Sequence, residues 1–262
     1  MSASEAGAGA REPRLPPVYR LVAMDSVSST MDEARRLAQE GAEDGTLVWA
    51  REQTGGRGRR GREWSSPRGN LYLTLILRPM CAPREAAQLG FVAGLGLVDA
   101  LGSVIPPMIE VHLKWPNDVL LNDRKAAGLL LEMATTEAGE IDFLLLGLGC
   151  NVKTFPQETE FPATSIHFEG APPSLCEVDV LEAFSRHFLT WVNRWLEDGF
   201  AQIRQTWLRH AWHLGEEIEV RVGEDELKGV FRDLDADGAL LLTTPNGAET
   251  RVSAGDVLFR EA

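Results

Sequence analysis

Residues 51–70 hold six arginines (Arg51, Arg57, Arg59, Arg60, Arg62 and Arg68) against two acids, Glu52 and Glu63. That is a local charge of +4 in a chain whose formal charge is −13. Gly55, Gly56, Gly58 and Gly61 lie among them. Glycine lets backbone take φ > 0 and approach a ligand closely, and a guanidinium offers forked donors to phosphate or carboxylate. The segment therefore reads as an anion-binding loop, with a solvated surface loop as the plainer alternative. Ordering a flexible loop costs about 1–2 kcal/mol per residue, so it should be loose when empty and close over its ligand. The run GRGRRG at 56–61 has the letters of a dinucleotide fingerprint, but that fold needs the glycines to open a helix. Here they run through Trp64, Ser65, Ser66 and Pro67 towards a predicted strand. No phosphate-loop motif of the G-x-x-x-x-G-K-[ST] type is present.

The chain has four lysines against 22 arginines, and two of the four, Lys114 and Lys125, fall within LKWPNDVLLNDRKAAG. Asn122-Asp123 signals a tight turn that delivers Lys125 to the start of a strand, where Gly128 leaves room for a ligand. A lysine there could act as a point charge between a carboxylate and a phosphate, or be an ordinary strand-end residue. Asn117 and Asp118 are turn formers or ligands. Asp118 could hold Mg²⁺ bridging phosphates, since that ion takes one or two carboxylates plus phosphate oxygens. GLGCN at 147–151 ends an apolar run, and Asn151 either closes a strand or pairs with a purine edge.

These residues need a scaffold, and the patterning predicts one. Strands are expected at 19–24, 46–50, 70–77, 111–114, 118–121, 126–133 and 141–148. Ser28-Ser29-Thr30 before Asp32-Glu33 reads as a helix start with acids at the positive end of the dipole, and Gly41 as its stop. Pro83 opens an Ala/Gly-rich helix to about Leu101, suited to close packing on a sheet. The segments 178–196 and 200–212 carry aromatic stripes (Phe184, Phe188, Trp191, Trp195; Trp207) that belong in a core. After Gly215, short strands separated by turn signals read as a small barrel. The expected class is α+β: a mixed sheet backed by helices at 18–213, then a barrel at 214–262. Residues 1–17, small, polar and Pro-rich, are expected to be a disordered tail.

At 44% hydrophobic and 25% charged, the 262 residues match globular usage. The acidic charge disfavours general DNA binding, which depends on neutralising phosphates. No run reaches the ~18 uninterrupted apolar residues of a membrane span. Cys81, Cys150 and Cys176 show no metal-ligand spacing, and a reducing cytoplasm fits them best.

Taken together, GRGRRGREW, KWPND, RKAAG and GLGCN, in this order over about 20–260, resemble the biotin–protein ligases (biotin–[acetyl-CoA carboxylase] ligases). The resemblance implies a catalytic domain of the class II synthetase-like type followed by an SH3-like barrel. It also implies a monofunctional enzyme without an N-terminal DNA-binding domain. The implied reaction joins biotin and ATP into biotinyl-5′-AMP and then transfers biotin to a lysine of a carboxylase's biotin carboxyl carrier domain. ATP and Mg²⁺ are its co-substrate and metal, with no permanently bound cofactor, DNA or membrane partner, and a homodimer through the central sheet is allowed. Residue by residue, the resemblance puts Ser29, Thr30, Met31, Gln53, Arg57, Gly58, Arg59, Lys125 and Gly128 at biotin. It puts Arg59, Arg62, Trp64, Asn117, Asp118, Lys125, Asn151 and Arg260 at ATP, with Asp118 also towards the metal. Lys125 and Arg59 are the implied catalytic residues. Met31 departs from the asparagine common in the family. Lipoate–protein ligases and octanoyltransferases share the acyl-to-lysine logic and form the nearest alternative; a non-enzymatic biotin- or nucleotide-binding regulator is the other. The Arg/Gly-rich loop and the barrel argue against the first.

Overall fold

The computed structural model describes residues 11–258. β1 (Arg20–Met24) leads into α1 (Thr30–Gln39) and β2 (Thr46–Ala50), and β1 and β2 pair in parallel. β3 (Leu71–Leu77) follows the basic loop. The helix expected from Pro83 is two pieces, α2 (Pro83–Ala86) and α3 (Leu89–Val104). β4 (Val111–Lys114), β5 (Asp118–Leu121), β6 (Arg124–Thr135) and β7 (Ile141–Cys150) complete a seven-stranded mixed sheet of order β1-β2-β3-β7-β6-β5-β4. Asn122 and Asp123 both adopt positive φ, 46° and 61°, so the predicted turn between β5 and β6 has the twist that hairpins prefer.

Helices cover both faces of the sheet, which is why β2 (TLVWA) is buried at every position instead of alternating. On one face α1 packs Met31, Ala34 and Ala38 against Val48, Ile76 and Leu145. On the other lie α3, α4 (Glu177–Asp198) and α5 (Phe200–Arg209). The small residues of α3 bring α4 close: a Cβ on Gly96 would stand 2.9 Å from Phe188 Cα. The aromatic stripe of α4 is in the core, and its indoles are satisfied there. Trp191 donates to Asp99 at 2.7 Å and Trp195 to Gln88 at 2.8 Å. By composition Pro83–Val104 could cross a membrane, but 67% of its most apolar window is buried within the protein.

β8 (Glu217–Val222), β9 (Asp225–Leu234), β10 (Leu240–Thr243), β11 (Glu249–Val252) and β12 (Asp256–Val257) form the SH3-like module, antiparallel throughout, in the order β11-β10-β9-β8-β12. The Trp115 indole N–H donates to the Gly238 carbonyl at 3.0 Å, and Arg204 of α5 pairs with Asp233, so the module is bolted to the larger domain. The expected tail is corrected from residue 11 onward. Arg11 bonds Asp179 at 2.9 Å and Glu182 at 2.6 Å, the Arg14 backbone N–H donates to Glu182 at 2.7 Å, and Leu15 packs on the core. Residues 1–10 lie outside the described residues.

Candidate active site

The start of α1, the basic loop, the facing strands β6 and β7 and the segment 156–163 enclose a pocket of about 360 Å³. Fourteen of the sequence-predicted residues line it: Ser29, Thr30, Met31, Gln53, Arg57, Gly58, Arg59, Arg62, Trp64, Asn117, Asp118, Lys125, Gly128 and Asn151. Arg260 lies outside the described residues.

One end of the pocket is neutral and hydrogen-bonded. Gln53 Oε1 accepts from the Thr30 backbone N–H at 2.9 Å and from the Thr30 hydroxyl at 3.0 Å. Thr74 donates to the Thr30 hydroxyl at 3.0 Å, and Gln53 Nε2 donates to Ser66 at 2.9 Å. Ser29 occupies the N-cap of α1, yet its side chain makes no cap hydrogen bond. That hydroxyl is available to a ligand rather than spent on the helix. Met31 is buried among apolar neighbours and lies over Gly147, where a Cβ would stand 2.8 Å from its methyl. Its thioether therefore supplies an apolar wall at the place where an asparagine would offer donors.

The floor is laid with glycines, on which one aromatic ring is seated. Gly128 on β6 and Gly149 on β7 are direct register partners. Trp64 lies on both: a Cβ on Gly128 would be 3.2 Å from Trp64 Cζ3, and one on Gly149 only 2.5 Å from Trp64 Nε1. The Trp64 indole N–H is buried with no acceptor among the described residues, which makes it a spare donor.

The other end is ionic. Lys125 Nζ sits 2.6 Å from Asp118 Oδ1, and Lys114 Nζ 3.5 Å from Oδ2. Lys114 and Asp118 are the end residues of the β4–β5 hairpin and face each other across it. Burial opposes ionisation of Asp118, but the two ammonium groups outweigh it and hold the carboxyl below its ordinary range. Burial also pushes the Lys114 ammonium below the usual lysine range, against the pull of Asp118. Lys125 Nζ stands 5.5 Å from the Trp64 ring centre. Lys114 belongs to none of the predicted site residues; its one signal in the sequence is a lysine closing a short strand in a lysine-poor chain. Thr74, a polar residue in the middle of an apolar strand, was a similar signal.

The basic loop is a tight hairpin. Gly58 N–H donates to the Arg62 carbonyl at 2.7 Å and Trp64 N–H to the Gly56 carbonyl at 2.9 Å, while Arg60 takes φ 54° at its tip. Arg57 pairs with Asp32 on α1. Arg59 Nη1 donates to Asn117 Oδ1 at 3.2 Å and pairs with Asp256 at 3.0 Å, while Asn117 Nδ2 donates to the Leu129 carbonyl. Burial and the neighbouring guanidinium groups lower the Arg59 pKa, with Asp256 opposing. The loop expected to be loose is thus tied down on both sides. Asn151 is buried, and its Nδ2 donates to the Thr164 carbonyl at 3.0 Å, bracing the wall that carries residues 156–163.

The donor set does not suit a metal ion held by the protein. Among the described residues no three His, Cys, Asp or Glu side chains cluster at ligating distance, and Asp118 already faces two ammonium groups. Chemically, the pocket can bind an uncharged polar ring system at one end and crowd two anions together at the other.

Residues 63–209 match the Biotin/lipoate A/B protein ligase family, and residues 213–260 the Biotin protein ligase C terminal domain. A biotin–[acetyl-CoA-carboxylase] ligase of Paracoccus denitrificans is 41% identical over 88% of this chain and 97% of its own length. The bifunctional ligase/repressor BirA of Bacillus subtilis is 33% identical over 89% of this chain and 72% of its own. A biotin protein ligase from Aquifex aeolicus, solved in complex with biotin and ATP, superposes with a TM-score of 0.76. It is 29% identical, over 92% of this chain and 99% of its own.

Proposed function

Since this chain belongs to the biotin protein ligases, we infer from its pocket how it carries out the two half-reactions of that activity. It forms biotinyl-5′-AMP from biotin and ATP and passes biotin to a lysine of a biotin-dependent carboxylase's carrier domain. In the first step a biotin carboxylate oxygen attacks the α-phosphorus of ATP, the bond to the β-phosphate oxygen breaks, and pyrophosphate leaves. In the second, the carrier's ε-amine attacks the acyl carbon and AMP leaves.

The Ser29, Thr30 and Gln53 end binds the neutral ureido ring, since its hydrogen bonds need no charge. Met31 and Gly128, beside the Trp64 ring, flank the rest of biotin. Lys125 then lies where the carboxylate meets the α-phosphate and offsets the negative charge gathered in the transition state. Asp118 orients that ammonium from behind. Arg57, Gly58, Arg59 and Arg62 cover the reacting atoms, while Trp64, Asn117 and Asn151 flank the nucleotide; the family resemblance also assigns Arg260 to ATP. Covering the mixed anhydride keeps water from it. Magnesium, if used, comes with the triphosphate oxygens rather than from a protein cluster. The proposed setting is the cytoplasm, where ATP and the carrier meet.

The observation that carries this reading is the Lys125 ammonium, 2.6 Å from the buried Asp118, at the far end of one pocket from the Thr30–Gln53 network. The test is a carrier domain incubated with enzyme and either biotin or lipoate, with and without ATP. The expected result is a biotin mass shift that needs ATP and releases AMP and pyrophosphate. A lipoyl or octanoyl shift, or biotin binding without turnover, would replace it.

A further inference from the structure

Asp256 and Arg221 are direct cross-strand partners on β12 and β8. Residues opposite each other on an antiparallel ladder project to one face, and here that face meets both walls of the pocket. Asp256, only 8% exposed, takes three guanidinium groups of the basic loop: Arg59 at 3.0 Å on Oδ1, with Arg60 at 3.4 Å and Arg62 at 3.0 Å on Oδ2. The carbonyl of the preceding Gly255 accepts from Arg59 at 3.2 Å. Arg221 reaches the opposite wall, 2.7 Å from Glu160. Both residues are held firmly in place. A Cβ on Gly255 would stand 2.9 Å from the Arg221 carbonyl, so β12 lies against β8 with no room to shift.

We propose that this single rung of the barrel is a clasp that holds the two walls of the pocket shut over the adenylate, with Asp256 as its main positioning residue. Three cations crowded at a hairpin tip repel one another; one buried carboxylate makes their convergence favourable. Charge-assisted hydrogen bonds of this kind are strong, and the Asp256–Arg59 contact, 11% and 22% exposed at the side chains, loses little to solvent, while Arg60 and Arg62, 40% and 45% exposed, add less. Arg221–Glu160 is more exposed, 38% and 52% at the side chains, so solvent screens it and its share is smaller. Neither residue needs to touch the reacting atoms. The barrel thereby acts on the site of the larger domain by setting how long a labile intermediate stays enclosed. The retention half of this proposal rests on the ligase activity above, whereas the closure half does not.

The experiment compares the full-length protein with Asp256→Asn and Arg221→Gln. Each protein is loaded with biotin and ATP, freed of excess, and followed for loss of biotinyl-5′-AMP; each is also treated, unloaded, with dilute trypsin, counting cuts after residues 57–62. Asp256→Asn is expected to lose the adenylate about tenfold faster and to be cut in the loop about tenfold faster, as loss of charged hydrogen bonds predicts. Arg221→Gln is expected to release about twofold faster, as an exposed pair predicts, with loop cleavage unchanged. Should Asp256→Asn unfold the barrel, cuts would spread through 217–257. The loop-side double variant Arg60→Gln/Arg62→Gln then reaches the same clasp without touching the barrel; because Arg62 also covers the reacting atoms, it is read only as trypsin cuts at Arg57 and Arg59. Wild-type retention and wild-type cleavage in a folded clasp variant would overturn the proposal. Absence of any adenylate from the wild-type protein would instead defeat the ligase reading, and the trypsin arm would still decide whether the clasp exists.

Discussion

At the Thr30 end of the pocket, Thr30, Gln53, Thr74 and Ser66 are joined by neutral hydrogen bonds of 2.9–3.0 Å, whereas at the Lys125 end one buried carboxylate is shared by two ammonium groups. The neutral network is knit together within the protein and leaves the Ser29 hydroxyl over for a ligand, so it selects by shape and donor pattern. The ionic cluster is built around charge that must be redistributed when substrates arrive. On the proposed reading Lys125 turns from Asp118 to a phosphate, and Lys114 stays behind to balance the carboxylate. The proposed recognition and reaction ends thus offer different kinds of polar contact in one cavity of about 360 Å³. Mutations at the two ends should fail in different ways.

The largest difference is expected from Lys125→Ala, which removes transition-state charge and should slow pyrophosphate exchange by about 10²–10³-fold. Exchange at the wild-type rate would remove Lys125 from its role and erase the contrast. Asp118→Asn comes next, and its effect should extend to stability. It takes away the carboxylate that offsets burial of Lys114, at a cost of about 3–5 kcal/mol in urea unfolding, the usual result of breaking a buried pair. The sign with pH follows from the lowered folded-state pKa of Asp118. Its contribution is complete above the unfolded carboxyl value near ~3.9 and fades as pH falls through the lower folded value. Wild type and Asp118→Asn should therefore converge in strong acid; a gap that does not depend on pH would mean the carboxylate charge is not the cause.

At the neutral end, Gln53→Leu removes the acceptor of both Thr30 donors and should raise the KM for biotin by about tenfold, the effect of one or two lost hydrogen bonds. The KM for ATP should change little, and equal effects on both substrates would blur the two ends into one. The smallest effect is expected from Arg59→Gly, which should leave adenylate formation measurable while bystander lysines become labelled several-fold more. Unchanged bystander labelling in this variant would separate the loop from retention.

The sequence patterns revealed elements and motifs far better than they revealed partners. Asn122-Asp123 predicted a tight turn because few residues tolerate positive φ at two successive positions, and both do so there. The aromatic stripe of α4 predicted a core face because its spacing matches one side of a helix. The seven strands of the larger sheet were visible, but their order was not: pairing between β3 and β7 joins residues some seventy positions apart, with no local signal. The break between α2 and α3 falls among residues that all favour helix. Within the pocket, residues inside motifs were legible and those brought in by topology were not. Asp256 stands nearly two hundred residues from Arg59 in an ordinary Gly-Asp turn sequence, and only the docking of the barrel makes it a partner. The stretch 11–17 looked unstructured by composition; two acids on α4 tether it.

The paired glycines beneath Trp64 carry a practical consequence. Because the floor of the cavity is shaped by methyl groups that are missing, its outline can be redrawn one carbon at a time. At Gly147 the neighbour is the end of a flexible thioether, which can swing aside for an alanine. At Gly149 it is a stacked indole, which cannot move without vacating its seat. Trimming Met31 while sparing the indole is accordingly the route to an enzyme that accepts enlarged vitamin analogues, and filling Gly149 the route to one that accepts nothing.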